Sequence, residues 1–140
     1  MRDTFKPGVT FELTYEVPST RTVPHLLPES EEFRQMPEVL ATGYMVGLVE
    51  WACIQAVNPH LDWPREQTVG THVDLSHTAA TPPGMKVTIA VEVVEVDGRR
   101  LVFEVVARDD KETISKGRHE RFVIDAERFN RRVTEKAAGR

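Results

Sequence analysis

The sequence predicts an α+β fold in which a curved antiparallel sheet wraps around one long central helix and a short C-terminal helix follows. Three observations predict it. Residues 10–17 alternate polar and apolar side chains, the period of a half-buried strand. Residues 44–57 form a nearly continuous apolar run, which fits a helix buried on nearly every side. Beyond them, further extended segments are separated by turn residues.

The composition fits a single globular domain over residues 1–140. With 18 Lys and Arg against 22 Asp and Glu, the formal net charge is -4, which argues against nucleic acid or an acidic membrane surface as the main partner. Cys53 is the one cysteine, so a disulfide framework and a cysteine-based zinc site are excluded and a reducing compartment is expected. Residues 1–8 lack the apolar stretch of a signal peptide, and we expect a cytoplasmic protein.

Residues 18–37 predict a lid-like loop. The segment holds four prolines and no sustained period, yet it carries apolar side chains, and a long loop of this kind is more often a binding loop than a slack connection. Thr42 is a candidate N-cap of the central helix, because its hydroxyl can accept a hydrogen bond from the free amides of the first turn. Asn58 and Pro59 end that helix.

The second half of the chain predicts the other strands. The first places alternate residues on one face, namely Val69, Thr71, Val73, Leu75 and His77. The second does so with Val87, Ile89, Val91 and Val93. Asp97 and Gly98 predict a hairpin into a strand over 101–107, and the last strand runs over 113–124. Asp125 then caps a short helix with Phe129 and Val133 on one face, and residues 135–140 are expected to fray.

The central helix has more apolar surface than one sheet can cover. A curved sheet packs against one side of a helix, so the other side must be buried elsewhere, and a second copy of the chain is the simplest cover. Gly43 and Gly47 would let two such helices approach closely. This arrangement, a symmetric homodimer, is the hot-dog fold. The alternative is a monomeric α+β roll closed by the C-terminal helix.

Glu50 is the most unusual residue in the sequence. A carboxylate in the middle of an apolar helix is costly unless it is paired or hydrogen-bonded, or its pKa rises. It could be a structural acid tied to an arginine or a histidine. It could also be a general base or nucleophile, because burial would bring its basicity toward the working pH.

His77 and Thr42 are the other candidates. His77 ends an apolar strand face beside a turn rich in Thr and Pro, where a histidine can be structural or catalytic. The amides and dipole of a helix N-terminus at Thr42 favour a developing oxyanion. Thr42 and Glu50 are separated by about 12 Å of helical rise, so we predict that they meet across a dimer, one from each subunit. The remaining histidines, His119 among them, show no metal-ligand spacing.

Three segments together resemble a known family. VPHLLPES at 23–30, ATGYMVGLVEWAC at 41–53 and SHTAATPPG at 76–84 closely resemble fluoroacetyl-CoA thioesterases of the hot-dog superfamily, and the likeness covers nearly the whole chain. The resemblance implies hydrolysis of a short-chain acyl-CoA, fluoroacetyl-CoA or a related small acyl-CoA, to the free acid and CoA. No cofactor is implied, since thioester hydrolysis needs a base, an oxyanion site and water.

The resemblance implies that Thr42, Glu50 and His77 form the catalytic group. Glu50 would attack the thioester carbonyl or activate the attacking water, His77 would aid activation and proton transfer, and Thr42 would position the acyl group. The backbone of Gly70 matches a glycine near the acyl group. Arg121 matches an arginine near the site, although strand context alone would also fit an exposed surface charge.

The family also has an apolar lid beside the acyl pocket, which Val23, Leu26 and Phe33 match. Met36 stands where the family carries a phenylalanine that helps to gate water and product, and methionine is a softer, more adaptable side chain. Exchanging fluorine for hydrogen changes little volume, so selectivity depends on fine differences in transition-state contacts. We therefore expect Met36 to affect the choice between fluoroacetyl and acetyl groups.

Two other functions remain open at this stage. A hot-dog hydratase or dehydratase would use an acid/base pair to remove the proton alpha to the thioester, and turnover of enoyl-CoA would reveal it. A non-catalytic CoA-ester binding module would hold Glu50 as a structural acid. Basic candidates for the CoA phosphates are Lys86, Arg99, Arg100, Lys116 and Arg118.

Overall fold

A five-stranded antiparallel sheet wraps around one long helix in residues 1–139, the part of the chain that the structure, a computed structural model, describes. The elements are β1 (Thr10–Glu16), α1 (Val23–Leu26), α2 (Glu31–Arg34), α3 (Thr42–Val57), β2 (Glu66–Leu75), β3 (Lys86–Asp97), β4 (Arg100–Arg108), β5 (Thr113–Asp125) and α4 (Ala126–Ala137). The strand order is β1-β3-β4-β5-β2, with every neighbouring pair antiparallel. The predicted α+β architecture is confirmed.

The core lies between α3 and the concave face of the sheet. The alternation predicted for β3 is confirmed, because all four residues of that face are buried: Val87, Ile89, Val91 and Val93. From α3 the buried residues are Met45, Leu48, Val49, Ala52, Cys53, Ala56 and Val57. Burial raises the pKa of the Cys53 thiol to about 12, so this cysteine packs as a small apolar residue and is not a nucleophile.

The opposite side of α3 is open in a single chain. Gly43, Gly47 and Trp51 are exposed, and Val46 and Ile54 between them are half-buried. The expectation that the helix is buried on nearly every side is therefore wrong for one chain. A single sheet covers one side of a helix, and the residues left open include apolar ones.

The segment 18–37, referred to below as the lid, is more regular than the sequence indicated. It contains α1, α2 and a 3-10 turn at Ser19–Arg21. Ser30 caps α2, because its hydroxyl accepts a hydrogen bond from the amide of Phe33 at 3.1 Å. A β-bridge between Thr22 and Leu40 joins the residues that flank 23–39. The four prolines favoured a loop in the sequence pattern, so these short helices were not predicted.

A bulge in β2 changes which of its side chains face α3. Val69 pairs with Phe122 and Val73 pairs with His119, with a register shift between Gly70 and His72. Residues paired across an antiparallel ladder point to the same face, and Phe122 and His119 point to opposite faces. The prediction that Val69 and Val73 share a face is therefore wrong, because the bulge shifts the alternation by one residue.

The C-terminal part follows the sequence closely. The Asp97–Gly98 hairpin joins β3 to β4, and Asp125 caps α4 by accepting a hydrogen bond from the Arg128 amide at 3.0 Å. Helix α4 continues to Ala137, beyond the expected start of fraying at 135, and Arg140 lies outside the described residues. None of the helices in residues 1–139 has the length and apolar character needed to cross a bilayer.

Gly117 controls the close approach of β5 to β2, and replacing it should be costly. It has φ +152°, and a Cβ there would lie 1.9 Å from the carbonyl oxygen of Asp74. We expect Gly117→Ala to lower the free energy of unfolding by well over about 1 kcal/mol. Gly98→Ala is the control, since Gly98 also has a positive φ, +59°, but open space around its Cα. Denaturant unfolding of both variants measures the difference, and equal losses would contradict the prediction.

Candidate active site

Thr42 and His77 form the first half of the site. Ala41, not Thr42, is the N-cap of α3, so the predicted capping role of Thr42 is wrong. Thr42 is the first helical residue, and its hydroxyl lies 2.8 Å from Nδ1 of His77. His77 lies just after β2, where the amides of Ser76 and Thr78 donate to β5 carbonyls at 2.9 and 2.8 Å. Two of the three predicted catalytic residues are thus in direct contact.

The His77 ring is half-buried, and its second nitrogen is free. Among the described residues, no group hydrogen-bonds to Nε2, which is itself buried. Burial lowers the pKa of His77, which favours the neutral imidazole. A neutral ring with Nδ1 held by Thr42 can present Nε2 to a substrate or a second chain only where binding opens a path to that buried atom.

A cleft of about 310 Å³ opens beside this pair. It is lined by Val23, Val39, Leu40, Thr42, His77, Thr78, Ala79 and Ala80. Of the predicted lid residues, Val23 borders this cleft, and Leu26 packs on α3 close to Gly43, where a Cβ would lie 3.1 Å from Leu26 Cδ2. Phe33 lies in α2, and Met36 follows that helix with its side chain 51% exposed; neither lines the cleft.

Glu50 belongs to a second group. Its Oε2 accepts a hydrogen bond from Nη1 of Arg121 at 2.9 Å, and its side chain is 41% exposed. The sequence predicted a buried carboxylate, and within one chain that is wrong, because Glu50 lies at the edge of the open side of α3. Arg121 is its one hydrogen-bond partner among the described residues, and it engages one of the two carboxylate oxygens.

Arg121 is held rigidly inside the sheet. It is 3% exposed, so the alternative of a solvated strand charge is wrong. Its Nε donates to the hydroxyl of Thr68 and its Nη2 to the carbonyl of Thr68, each at 2.8 Å. A buried guanidinium needs such partners to offset its desolvation, and here they aim Nη1 at Glu50.

His119 is the site residue that the sequence analysis missed. It is 1% exposed, with Nδ1 2.8 Å from the carbonyl oxygen of His72 and Nε2 3.1 Å from Nη1 of Arg121. The available signal was the two-residue spacing of His119 and Arg121, which places both on one face of a strand. That pattern becomes informative only once β5 is known to face Glu50.

Gly70 leaves room for these three side chains. A Cβ on Gly70 would lie 2.9 Å from Glu50 Oε2, 3.3 Å from His119 Cε1 and 3.4 Å from Arg121 Nη1. Real Cβ atoms essentially never approach a heavy atom as closely as the first of these distances. The carboxylate, the guanidinium and the imidazole therefore converge over a residue without a side chain.

The two groups are separate within one chain. Thr42 begins α3 and Glu50 follows eight residues later, about 12 Å along the helix axis, and His77 lies with Thr42. The structure thus brings Thr42 to His77 and Glu50 to Arg121, but does not join the two pairs. No cluster of three or more His, Cys, Asp or Glu side chains suited to a metal ion occurs in residues 1–139.

Two of the five basic residues considered for CoA phosphates lie in surface ion pairs. Arg100 pairs with Glu95 and Glu120, and Arg118 pairs with Glu104 at 3.2 Å. These pairs lie on exposed strand surface, outside both groups described above.

Known structures with the same architecture identify the class of protein. A hot-dog-like protein from Thermanaerovibrio acidaminovorans superposes with a TM-score of 0.79 at 22% identity, covering 94% of this chain and 93% of that one. A thioesterase superfamily member from Thermus thermophilus superposes with a TM-score of 0.83 at 26% identity over the full length of both chains. The fold is therefore that of the hot-dog thioesterase superfamily.

Closer relatives identify the family. Residues 22–127 match the family described as fluoroacetyl-CoA-specific thioesterase, FlK. The fluoroacetyl-CoA thioesterase of Streptantibioticus cattleyicolor is 49% identical over 136 residues, 97% of each chain. A solved structure of the T42A mutant of FlK in complex with fluoroacetate superposes with a TM-score of 0.91 at 48% identity, covering 94% of this chain and 98% of that one. The chain belongs to the FlK family and is an acyl-CoA thioesterase.

A side chain at position 70 should lower thioester hydrolysis more than it lowers stability. In Gly70→Ala the new methyl group would displace the end of the Glu50 side chain, which is flexible and partly exposed, so stability should change little. The carboxylate would lose its alignment with Arg121, and we expect kcat for thioester hydrolysis to fall about tenfold or more. Steady-state kinetics and thermal unfolding on the same preparation test this. A loss of stability with kcat unchanged would contradict it.

Proposed function

We propose that this protein hydrolyses fluoroacetyl-CoA or a related small acyl-CoA to the free acid and CoA. The observation that carries the proposal is the Glu50 carboxylate, which is fixed through Oε2 by the buried Arg121 while its side chain stays partly exposed. Membership of the FlK family supports the substrate class. The unpaired thiol of Cys53 is consistent with action in the reducing cytoplasm.

We propose further that the active unit is a homodimer with a composite site. The open side of α3 presents Gly43, Gly47 and Trp51, and Val73 on the edge strand β2 is exposed on the side that faces α3. A two-fold axis beside α3 would cover these residues and place the start of one helix near the middle of the other. Thr42 and His77 of one subunit would then face Glu50 and Arg121 of its partner.

In the proposed reaction Glu50 supplies the oxygen or the base that opens the thioester. As a base, the carboxylate takes a proton from water, and the hydroxide forms a bond to the carbonyl carbon. As a nucleophile, Glu50 forms that bond itself and gives a mixed anhydride, which water then hydrolyses. In both cases the C–S bond breaks and CoA leaves as a thiolate that must be protonated. If water attacks the Glu50 carbonyl of that anhydride, ¹⁸O from labelled water enters Glu50 in a single turnover, a result that the base route does not give.

His77 and Thr42 act on the carbonyl side of the substrate in this proposal. The Thr42 hydroxyl and His77 Nδ1 are hydrogen-bonded, and when the hydroxyl donates, Nε2 carries the ring proton. That N–H, which has no other hydrogen-bond partner among the described residues, donates a hydrogen bond to the departing thiolate, and the proton that the sulfur takes up comes from the water consumed in hydrolysis. The unpaired amides at the start of α3 stabilise the oxyanion that forms when the carbonyl is attacked.

Mixing two inactive variants tests the composite site. Glu50→Gln and Thr42→Ala should each abolish or strongly reduce release of free CoA. In a mixed dimer, one of the two sites would combine the intact Thr42 of one subunit with the intact Glu50 of the other. After subunit exchange at equal concentrations, we expect recovery of about a quarter of the wild-type activity. Free CoA is measured with a thiol reagent.

The controls separate the alternatives. If Thr42 and Glu50 act within one chain, every site in the mixture keeps one defect and no activity returns. If Glu50→Gln alone retains full hydrolysis while Glu50→Ala unfolds, Glu50 is a structural acid and the catalytic proposal fails. Assay of an enoyl-CoA with the wild-type protein distinguishes hydratase activity, for which no separate feature of the structure argues.

Met36 is the residue of the lid that we propose to affect acyl selectivity. It is exposed beyond α2 and is more adaptable than the phenylalanine it replaces. Met36→Phe should raise the ratio of kcat/KM for fluoroacetyl-CoA to that for acetyl-CoA, with CoA release as the readout. Phe33→Met is the matched control on the lid. Equal ratios for wild type and Met36→Phe would exclude Met36 as a gate.

A further inference from the structure

The protonation of His119 can be assigned from its neighbours. Nδ1 lies 2.8 Å from the carbonyl oxygen of His72, and a carbonyl oxygen can only accept, so Nδ1 carries a proton. Nε2 lies 3.1 Å from Nη1 of Arg121, and a guanidinium nitrogen can only donate, so Nε2 carries none. The ring is therefore the neutral Nδ1–H tautomer, clamped between a strand backbone and the guanidinium.

This clamp completes the set of bonds that orients Arg121. Nε and Nη2 donate to the hydroxyl and carbonyl of Thr68, which fixes one edge of the guanidinium. Nη1 has two hydrogens, and its neighbours are Glu50 Oε2 at 2.9 Å and His119 Nε2 at 3.1 Å. With His119 accepting one hydrogen, the other points at the carboxylate.

We propose that His119 is a positioning residue for thioester hydrolysis, keeping Arg121 aimed at Glu50 by accepting a hydrogen bond as a neutral imidazole. The inference rests on the proposed catalytic role of Glu50. His119 touches neither substrate nor reacting atoms; it acts through the guanidinium. When the ring takes up a second proton, on Nε2, that nitrogen can no longer accept a hydrogen bond and the ring becomes a cation beside Arg121. The guanidinium is then repelled and no longer holds the Glu50 carboxylate in place.

The surroundings of His119 determine when that proton binds. Burial and the positive charge of Arg121 lower its pKa, while the hydrogen bond to His72 and the charges of Glu50 and Glu120 raise it, with a lowered pKa as the net effect. Cys53, on which the charges of Arg121 and Glu50 also act, stays a neutral thiol because burial raises its pKa to about 12. His119 is thus neutral at neutral pH, and its protonation disfavours the aligned site as the pH falls.

Two substitutions separate positioning from packing. His119→Asn can still donate to the His72 carbonyl but is too short to reach Arg121. His119→Gln can place its side-chain oxygen where Nε2 lies and does not titrate. We expect His119→Asn to lower kcat about tenfold or more with little change in KM. We expect His119→Gln to retain most of kcat. Because the pKa of His119 is lowered from its ordinary value, we expect this variant to exceed wild type, relative to its own optimum, only at acidic pH.

A spectroscopic measurement accompanies the kinetics. The ¹⁵N signals of the His119 ring in the wild-type protein should show the Nδ1–H tautomer, and Glu50→Gln should lower the pKa of His119. Thr42→Ala is the control and should leave it unchanged. An Nε2–H tautomer, or full kcat in His119→Asn, would overturn the inference. If His119→Asn is fully active while Glu50→Gln is inactive, this inference fails alone; if Glu50→Gln is active, the proposed function fails.

Discussion

The ion pair between Arg121 and Glu50 is the interaction on which the rest of the site depends. A guanidinium that is 3% exposed needs hydrogen-bond acceptors to offset its desolvation. All three of its nitrogens donate, to Thr68, to His119 and to the carboxylate itself. Thr68 lies on β2 and Arg121 on β5, so this set of hydrogen bonds requires a particular register of the two strands. The sheet therefore orients the Arg121 guanidinium in addition to packing against α3.

That requirement accounts for two irregular features of β2. Gly70 pairs with Arg121, and the bulge follows immediately. The glycine gives the three converging side chains room, and the bulge turns the His72 carbonyl into reach of His119. A regular strand with an ordinary side chain at position 70 would satisfy the backbone ladder equally well and would leave no space for Glu50.

The sequence predicted the fold well because its evidence was periodic. The alternation in β3 and the apolar run of α3 both arise because these residues are buried against each other in the core. The structure confirms the strand and the helix at those places in the chain. The prediction from sequence failed where a single residue changes the periodic pattern or the start of a helix. The bulge in β2 and the choice of Ala41 over Thr42 as N-cap depend on contacts with β5 and His77, which lie far away in the sequence.

Most residues of the candidate site could be predicted from the sequence, but which of them contact one another could not. Glu50 was noticeable because it interrupts an apolar helix, and Arg121 came from the family resemblance. His119 carries no such signal, since a histidine in a strand is ordinary until its neighbours are known. Neither spacing nor composition could show that Thr42 contacts His77 while Glu50 contacts Arg121, because both contacts span more than 30 residues.

The β-bridge between Thr22 and Leu40 closes most of the lid into a loop, and Leu40 lines the cleft beside Thr42. The entropic cost of closing a flexible loop grows slowly with its length, by about 0.6 kcal/mol for each doubling. A change in the length of the lid, or of an exposed residue such as Met36, should therefore cost little stability. If Met36 affects acyl preference as proposed, that preference can diverge between relatives while the hydrogen bond of Glu50 with Arg121 stays the same.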